Sequence, residues 1–162
     1  MSSSRLPGKV LNTILGKPML AHQIERVLRA ETIDAVVLVT SLHPSDDEVA
    51  TLCVDLGIQC FRGSLNDVLG RYWGAFQVFP ADHIVRLTAD CPLIDPVIIE
   101  QAIQTYRHND CDYVNNAFIP GYPGGMNVQV YTLSSLKKSY KMTTDSLDYE
   151  HVTSHILRNP KL

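Results

Sequence analysis

Residues 35–40 read Ala-Val-Val-Leu-Val-Thr, an apolar run without polar alternation. Successive side chains of a strand point to opposite faces, so a half-solvated strand alternates apolar and polar residues. A strand that is apolar throughout is covered on both faces, the habit of a parallel sheet flanked by helices. This run therefore predicts a buried parallel strand and confines the chain to folds that supply helices on both sides of it.

The neighbouring segments read as those helices. Pro18 can open a helix whose Leu20, Ile24, Val27 and Leu28 share one face. Ser45 followed by Glu48 forms a capping-box pattern, with Val49, Leu52, Cys53 and Leu56 inward and Gly57 as the stop. Residues 58–61 read as a short strand. Residues 67–79 read as a helix with Val68, Leu69, Tyr72 and Phe76 on its apolar face, and 83–88 as a strand. Asp95-Pro96 is a cap and a first-turn proline for a helix to residue 107. Residues 113–115 and 126–132 read as strands and 148–158 as a helix. The alternation predicts an α/β three-layer fold with a mostly parallel sheet, in a single domain over residues 1–162. Ligands of such sheets lie beyond the carboxyl ends of the strands. Segments 41–47, 63–71 and 89–95 are the places to expect chemistry.

Composition narrows the function. Fourteen Lys and Arg against seventeen Asp and Glu give a net charge of -3. That balance offers no basic field for a nucleic-acid backbone, although a local cluster suffices for a small polyphosphate. No apolar run approaches the roughly 20 residues of a membrane span. The first ten residues lack the apolar core of a secretory signal. The cysteines, at 53, 60, 91 and 111, match no zinc spacing and read as free thiols in a cytoplasmic protein.

Three segments can carry chemistry. Ser2-Ser3-Ser4-Arg5-Leu6-Pro7-Gly8-Lys9 offers backbone amides to an anion, with Arg5 as a bidentate fork and Lys9 as a mobile charge. It also reads as a polar start with two solvated cations. Asp90 lies in Thr88-Ala89-Asp90-Cys91-Pro92, after a strand read as buried, where a carboxylate needs a metal, a cation or several donors. A Mg²⁺ ion bridging a triphosphate asks for only one or two protein carboxylates, and the plain alternative is a cap on the next turn. In Gly63-Ser64-Leu65-Asn66-Asp67-Val68-Leu69-Gly70-Arg71, Asn66 or Ser64 reads as the helix cap and Asp67 as an acid favouring the positive N-terminal end, while Asp67 and Arg71, four apart, can form a surface ion pair. Asp110-Cys111-Asp112 has the pattern of a metal-binding D-x-D, but it precedes a strand instead of following one. His151 and His155 share a helical face without H-E-x-x-H around them. Tyr72, Trp73, Phe76 and Phe79 read as a packing stripe.

Taken in order, S-S-R-L-P-G-K-V-L, G-K-P-M-L, V-T-S followed by D-D, F-R-G-S with D-V-L-G-R-Y, and V-R-L-T-A-D-C-P-L-I-D-P resemble the cytidylyltransferase family of spore coat and surface polysaccharide biosynthesis. The enzymes that make CMP-activated acidic sugars are its relatives. The resemblance runs from Ser3 to about Pro160 and is strongest over the first 96 residues. It implies a Rossmann-like nucleotidyltransferase fold, CTP and a sugar or sugar acid as substrates, and Mg²⁺ as cofactor. A sugar hydroxyl would attack the α-phosphorus of CTP and release pyrophosphate. Carried onto this sequence, Ser3, Ser4, Arg5 and Lys9 would hold the triphosphate and Ser41 would lie near the base. Asp67 and Arg71 would line the pocket, Arg86 would support it, and Asp90 would bind the metal. Arg5, Lys9 and Asp90 would be catalytic.

The sequence departs from the family pattern in three places. Met1 stands where an A-R-M-G-like turn after a first, central strand belongs, so that strand is expected to be missing and the chain to associate, as a dimer, to cover the gap. A later R-L-T-V-D-x-P-E-D-like motif is absent. The family's P-x-G-x-D-x-E reads Pro123-Gly124-Gly125-Met126-Asn127-Val128-Gln129, so the substrate contacts Asn127 and Gln129 are amides where acids are usual. An active CMP-sugar synthase and a non-catalytic nucleotide- or protein-binding relative are both carried forward. A glycosyltransferase resting on the D-C-D triplet is the third reading.

Overall fold

The computed structural model describes residues 6–117 and 121–159. A tight hairpin comes first, with β1 (Thr13–Ile14) antiparallel to β2 (Lys17–Pro18). Its two-residue turn holds Leu15 at φ 51° and Gly16 at φ 78°, the turn whose twist suits paired strands. Glycine takes that conformation freely, whereas leucine crowds its Cβ against the backbone. Leu15 is nonetheless 97% exposed.

Helix α1 (Met19–Val27) starts one residue after Pro18 and buries Leu20, Ala21, Gln23, Ile24 and Val27. Leu28, expected on that face, is the terminal cap and is exposed, because the helix ends before its side chain turns inward. The apolar run forms β3 (Val37–Ser41), two residues later than expected; Val37, Leu38 and Val39 are half-buried, Thr40 and Ser41 buried. It pairs in parallel with β4 (Gln59–Gly63), from Val37 opposite Gln59 to Ser41 opposite Gly63.

The crossover is α2 (Asp47–Asp55), closed by Gly57 at φ 66°. The capping box does not form. Pro44 favours the first position of a turn, so a short 3₁₀ turn, Pro44–Asp46, precedes the helix and takes in Ser45. The His43 ring caps that turn through the Ser45 amide.

Helix α3 (Val68–Val78) is capped by Asp67, not by Asn66 or Ser64 as expected: the Asp67 carboxylate accepts from the Gly70 amide, while the Ser64 hydroxyl takes the Asp67 amide one turn earlier. It packs on β4 through two glycines. A Cβ on Gly74 would lie 2.7 Å from the Phe61 ring, and one on Gly63 would lie 2.7 Å from Arg71 Cγ. Strand β5 (His83–Arg86) stops two residues short of the expected end. Helix α4 (Pro96–His108) opens on the expected cap, Asp95 accepting from the Val97 amide at 2.9 Å. Strand β6 (Tyr113–Asn115) matches expectation, and β7 (Gln129–Thr132) begins three residues late. These last three strands run in the order β5-β7-β6. Among the described residues the strands thus form three small sheets.

Helix α5 (Leu133–Met142) was not legible in the sequence; Thr132 caps it by accepting from the Ser135 amide. The expected terminal helix is two, α6 (Ser146–Glu150) and α7 (Ser154–Arg158), broken at Val152 with φ 21°. Within the aromatic stripe, whose four residues are all half-buried, the Trp73 ring stacks on Tyr140 at 5.8 Å. No helix among the described residues is long and apolar enough to cross a membrane.

The chain divides into two compact units. One takes the residues up to Val36 with Val85–Val130; the other takes Val37–Ile84 with those from Tyr131 onward. The first is built on Val27 and Ala30 against Ile99, Ala102, Ile103 and Tyr106 of α4, with Ile94, Val128 and Val130. The second buries Val49, Cys53, Leu69, Ala75, Tyr131, Leu136, Val152 and Ile156.

Asp148 pins the end of the second unit. It is 1% exposed and accepts from Thr143 Oγ1 at 2.5 Å and from Arg158 Nη2 at 2.6 Å, with His155 Nδ1 at 3.3 Å. Burial alone would raise its carboxyl; the Thr143 hydroxyl, Arg158 and His155 outweigh burial and hold it below the usual range. A depressed carboxylate stabilises the fold above its unfolded value, about pH 3.9, and loses that contribution as pH falls through the lower folded value. Asp148→Asn is therefore expected to lower stability at pH 7 by about 1.5–3 kcal/mol, the range of hydrogen bonds to charged groups. Urea unfolding at pH 7 and then at decreasing pH below 4 should show the gap to wild type closing. A gap independent of pH would remove the ionic role of Asp148. Separately, Leu15→Asn should raise the midpoint of thermal unfolding, by relief of up to about 1–2 kcal/mol of left-handed strain; an unchanged or lower midpoint would contradict it.

Candidate functional site

The first unit brings Lys9 to Asp90 across 81 residues of chain. Gly8, at φ 69°, turns the backbone into the 3₁₀ turn Lys9–Leu11, and Asp90 follows β5 in the turn after Thr88. Lys9 Nζ donates to Asp90 Oδ2 at 2.5 Å, with the side chains 28% and 40% exposed. The Lys9 hydrogen bond, against a smaller opposing effect of burial, holds the Asp90 carboxyl below its usual range, and the Thr88 hydroxyl adds to it. The adjacent Cys91 thiol is pushed up, chiefly by burial. It is not an activated nucleophile.

The loop carrying Asp90 is held from α1. Gln23 Nε2 donates to the Thr88 carbonyl at 2.8 Å, and Gln23 Oε1 accepts from the Cys91 amide at 3.1 Å. Arg26 Nε donates to the Ile94 carbonyl at 2.7 Å. A second buried amide does similar work further on. Asn116 donates to the Met126 carbonyl at 2.9 Å and accepts from the Val128 amide at 2.8 Å, leaving Asn127 exposed between them. Arg86 Nη1 donates to Gln129 Oε1 at 2.7 Å, so a neutral amide takes up this guanidinium.

In the second unit the end of β3 is sealed. Ser41 is fully buried. Its hydroxyl donates to Asp46 Oδ2 at 2.6 Å and accepts from the His43 amide at 3.1 Å. Asp46 also accepts from Thr40 Oγ1 at 2.8 Å and from the Ser41 amide at 3.0 Å. Arg62 ties the same loop down, donating to the Ser41 carbonyl at 2.8 Å, the His43 carbonyl at 3.2 Å and Asp47 Oδ1 at 2.6 Å. Asp67 accepts from the Gly70 amide at 2.6 Å, so one of its oxygens serves the helix cap. The Arg71 stem lies over Gly63, and burial lowers its guanidinium. Its Nε is buried without an acceptor among the described residues.

Of the residues singled out in the sequence, the structure thus joins Lys9 to Asp90 and Arg86 to Gln129, and places Ser41, Asp67 and Arg71 in the second unit. Ser3, Ser4 and Arg5 lie outside the described residues. Asp110 and Asp112 are exposed at the turn before β6, and His155 serves Asp148. Sequence reasoning missed Gln23, Asp46, Arg62 and Asn116. The one available signal was Gln23, a polar residue among Leu20, Ile24 and Val27 on an otherwise apolar helix face.

Among the described residues no three His, Cys, Asp or Glu side chains group to hold a metal ion. Mg²⁺ does not require such a cage: it keeps several waters and takes one or two carboxylates plus substrate phosphates. Asp90, ionised, partly exposed and on an anchored loop, fits that demand.

The family described as cytidylyltransferase matches residues 1–162. An uncharacterized protein of Methanocaldococcus jannaschii, MJ1063, is 33% identical over 99% of this chain and 65% of its own length. The spore coat polysaccharide biosynthesis protein SpsF of Bacillus subtilis is 31% identical over all of this chain and 68% of its own. The chain thus spans about two thirds of these relatives. A cytidylyltransferase structure from Leptospira borgpetersenii superposes with a TM-score of 0.92 at 32% identity, covering 98% of this chain and 68% of that one. The structure of CMP:2-keto-3-deoxy-manno-octonic acid synthetase complexed with CTP gives a TM-score of 0.73 at 21% identity, over 98% of this chain and 80% of that one, a likeness of fold. With the match running over the whole chain and the α/β nucleotidyltransferase fold shared, this chain belongs to the cytidylyltransferase family.

Proposed function

We propose that the chain transfers CMP from CTP to a hydroxyl of a sugar or sugar acid. The observation that carries this reading is the Lys9–Asp90 pair, a cation and a carboxylate held together at a strand end in a member of this family. The name of the relative SpsF, a spore coat polysaccharide biosynthesis protein, supports a sugar acceptor.

In this reaction the acceptor oxygen bonds to the α-phosphorus and the bond from that phosphorus to the bridging oxygen breaks. Pyrophosphate leaves, and the hydroxyl proton passes to solvent. Most of the catalysis is positioning and charge neutralisation, because the negative charge on the phosphoryl oxygens is what opposes attack. Lys9, with Arg5, supplies positive charge to the triphosphate. Asp90 would hold Mg²⁺, which when bound acts as a Lewis acid on the phosphates. Arg86 fixes Gln129, and Asn116 fixes the backbone around Asn127, as the polar contacts for the acceptor.

A second reading, a nucleotide-binding relative without turnover, draws on the neutral Gln129 in the grip of Arg86. It differs in one observable, release of pyrophosphate.

Calorimetric titration with CTP, with and without Mg²⁺ and with GTP as control, tests both. Saturable binding that needs Mg²⁺ and favours CTP is expected, and Asp90→Asn should weaken it about 10–100-fold, as loss of a metal-site partner does. Pyrophosphate release with a panel of sugar acids then separates synthase from binder. No binding at millimolar CTP would end the nucleotide reading.

A further inference from the structure

Gln23 is 4% exposed, in a helix face otherwise given to Leu20, Ala21, Ile24 and Val27. A side-chain amide there is costly unless both its ends are satisfied. Both are, and by backbone alone: the Thr88 carbonyl takes its N–H at 2.8 Å and the Cys91 N–H gives to its oxygen at 3.1 Å. Those two groups bracket Ala89 and Asp90. We propose that Gln23 is a positioning residue for Asp90, fixing the backbone on both sides of that carboxylate so that it meets the cation of a Mg²⁺–nucleotide complex. The inference rests on the reading of Asp90 as the nucleotide-metal contact.

Magnitudes favour Gln23 over Lys9 for this task. An exposed ion pair contributes little and leaves its partners mobile. Lys9 and Asp90, both partly exposed, therefore do not hold the loop by themselves. Two hydrogen bonds from a buried side chain on a helix do, since breaking either strands a buried group. Arg26, one turn later on α1, adds a third anchor at the Ile94 carbonyl. The residue type follows from the demand. Glutamate can accept from Cys91 but cannot donate to Thr88 when ionised, and methionine matches the shape while doing neither.

The test uses Gln23→Met, Gln23→Glu, Asp90→Asn and the double variant Gln23→Met with Asp90→Asn. CTP affinity is measured by calorimetry with and without Mg²⁺, and exchange of the Cys91 amide by NMR. In Gln23→Met the Cys91 amide should exchange faster, and CTP affinity in Mg²⁺ should fall about tenfold or more, as misplacement of a reacting-site group does. Affinity without Mg²⁺ should barely change. Gln23→Glu should fall between, retaining the Cys91 bond, and it carries the same cycle if Gln23→Met does not fold. The double variant should bind no more weakly than Asp90→Asn alone, because Gln23 acts through Asp90. Unchanged Mg²⁺-dependent affinity in Gln23→Met, or losses that multiply in the double variant, would overturn the role of Gln23 while leaving the proposed function standing. A wild-type chain that fails to bind CTP with Mg²⁺ would overturn the proposed function and this role with it.

Discussion

A buried amide side chain has a donor and an acceptor, and both must find partners where water does not reach. That requirement organises the first unit. Gln23 meets it through Thr88 and Cys91, and Asn116 meets it through Met126 and Val128. In each case the partners are main-chain groups flanking a polar residue left at the surface, Asp90 and Asn127. The second unit solves the same problem with charged groups. Asp46 can only accept and gathers donors from Thr40 and Ser41; Arg62 can only donate and takes two carbonyls and the Asp47 carboxylate. The donor and acceptor inventory of each side chain decides which backbone it can hold.

This division separates residues that hold from residues that are held. Gln23, Asn116, Ser41 and Asp46 are buried and fully engaged. Lys9, Asp90 and Asn127 keep exposure and so keep the capacity to meet a ligand. Ser41 shows the difference most clearly. Its place at the carboxyl end of β3 marks it as a ligand contact by topology, but its hydroxyl is committed to Asp46 and to the His43 amide. What it offers beyond itself is the shape of the loop.

Punctuation made much of the fold legible. Asp95-Pro96 marked the start of α4, Gly57 the end of α2, and the continuous apolar run β3, because each depends on chemistry confined to a few neighbouring residues. Helix α5 was hidden because its buried face is Ser135, Leu136 and Ser139, and two serines beside one leucine show no apolar period. The first hairpin was hidden because Leu15-Gly16 replaces the asparagine-glycine that usually marks such a turn. Ser45 misled because Pro44, one residue earlier, starts a turn of its own. At the candidate site, nothing in the spacing linked Lys9 to Asp90; the family resemblance brought them together, and the structure puts them 2.5 Å apart. Gln23 was passed over, although a polar residue among Leu20, Ile24 and Val27 is an anomaly on an apolar face. Its partners are backbone groups, which carry no mark in the sequence.

The exposure of the Lys9–Asp90 pair bears on what the site can do. Stripping the partner from an enclosed carboxylate such as Asp148 is costly, because it leaves a buried charge uncompensated. A partly exposed pair is worth about 0.2–1 kcal/mol, so its members part at little cost. On the proposed reading both must change partners when nucleotide arrives, Lys9 toward the triphosphate and Asp90 toward its cation. A pair strong enough to hold the loop would resist that exchange, and one weak enough to exchange would leave the loop loose. Assigning the holding to Gln23 and Arg26, which bind backbone and need not move, removes the conflict.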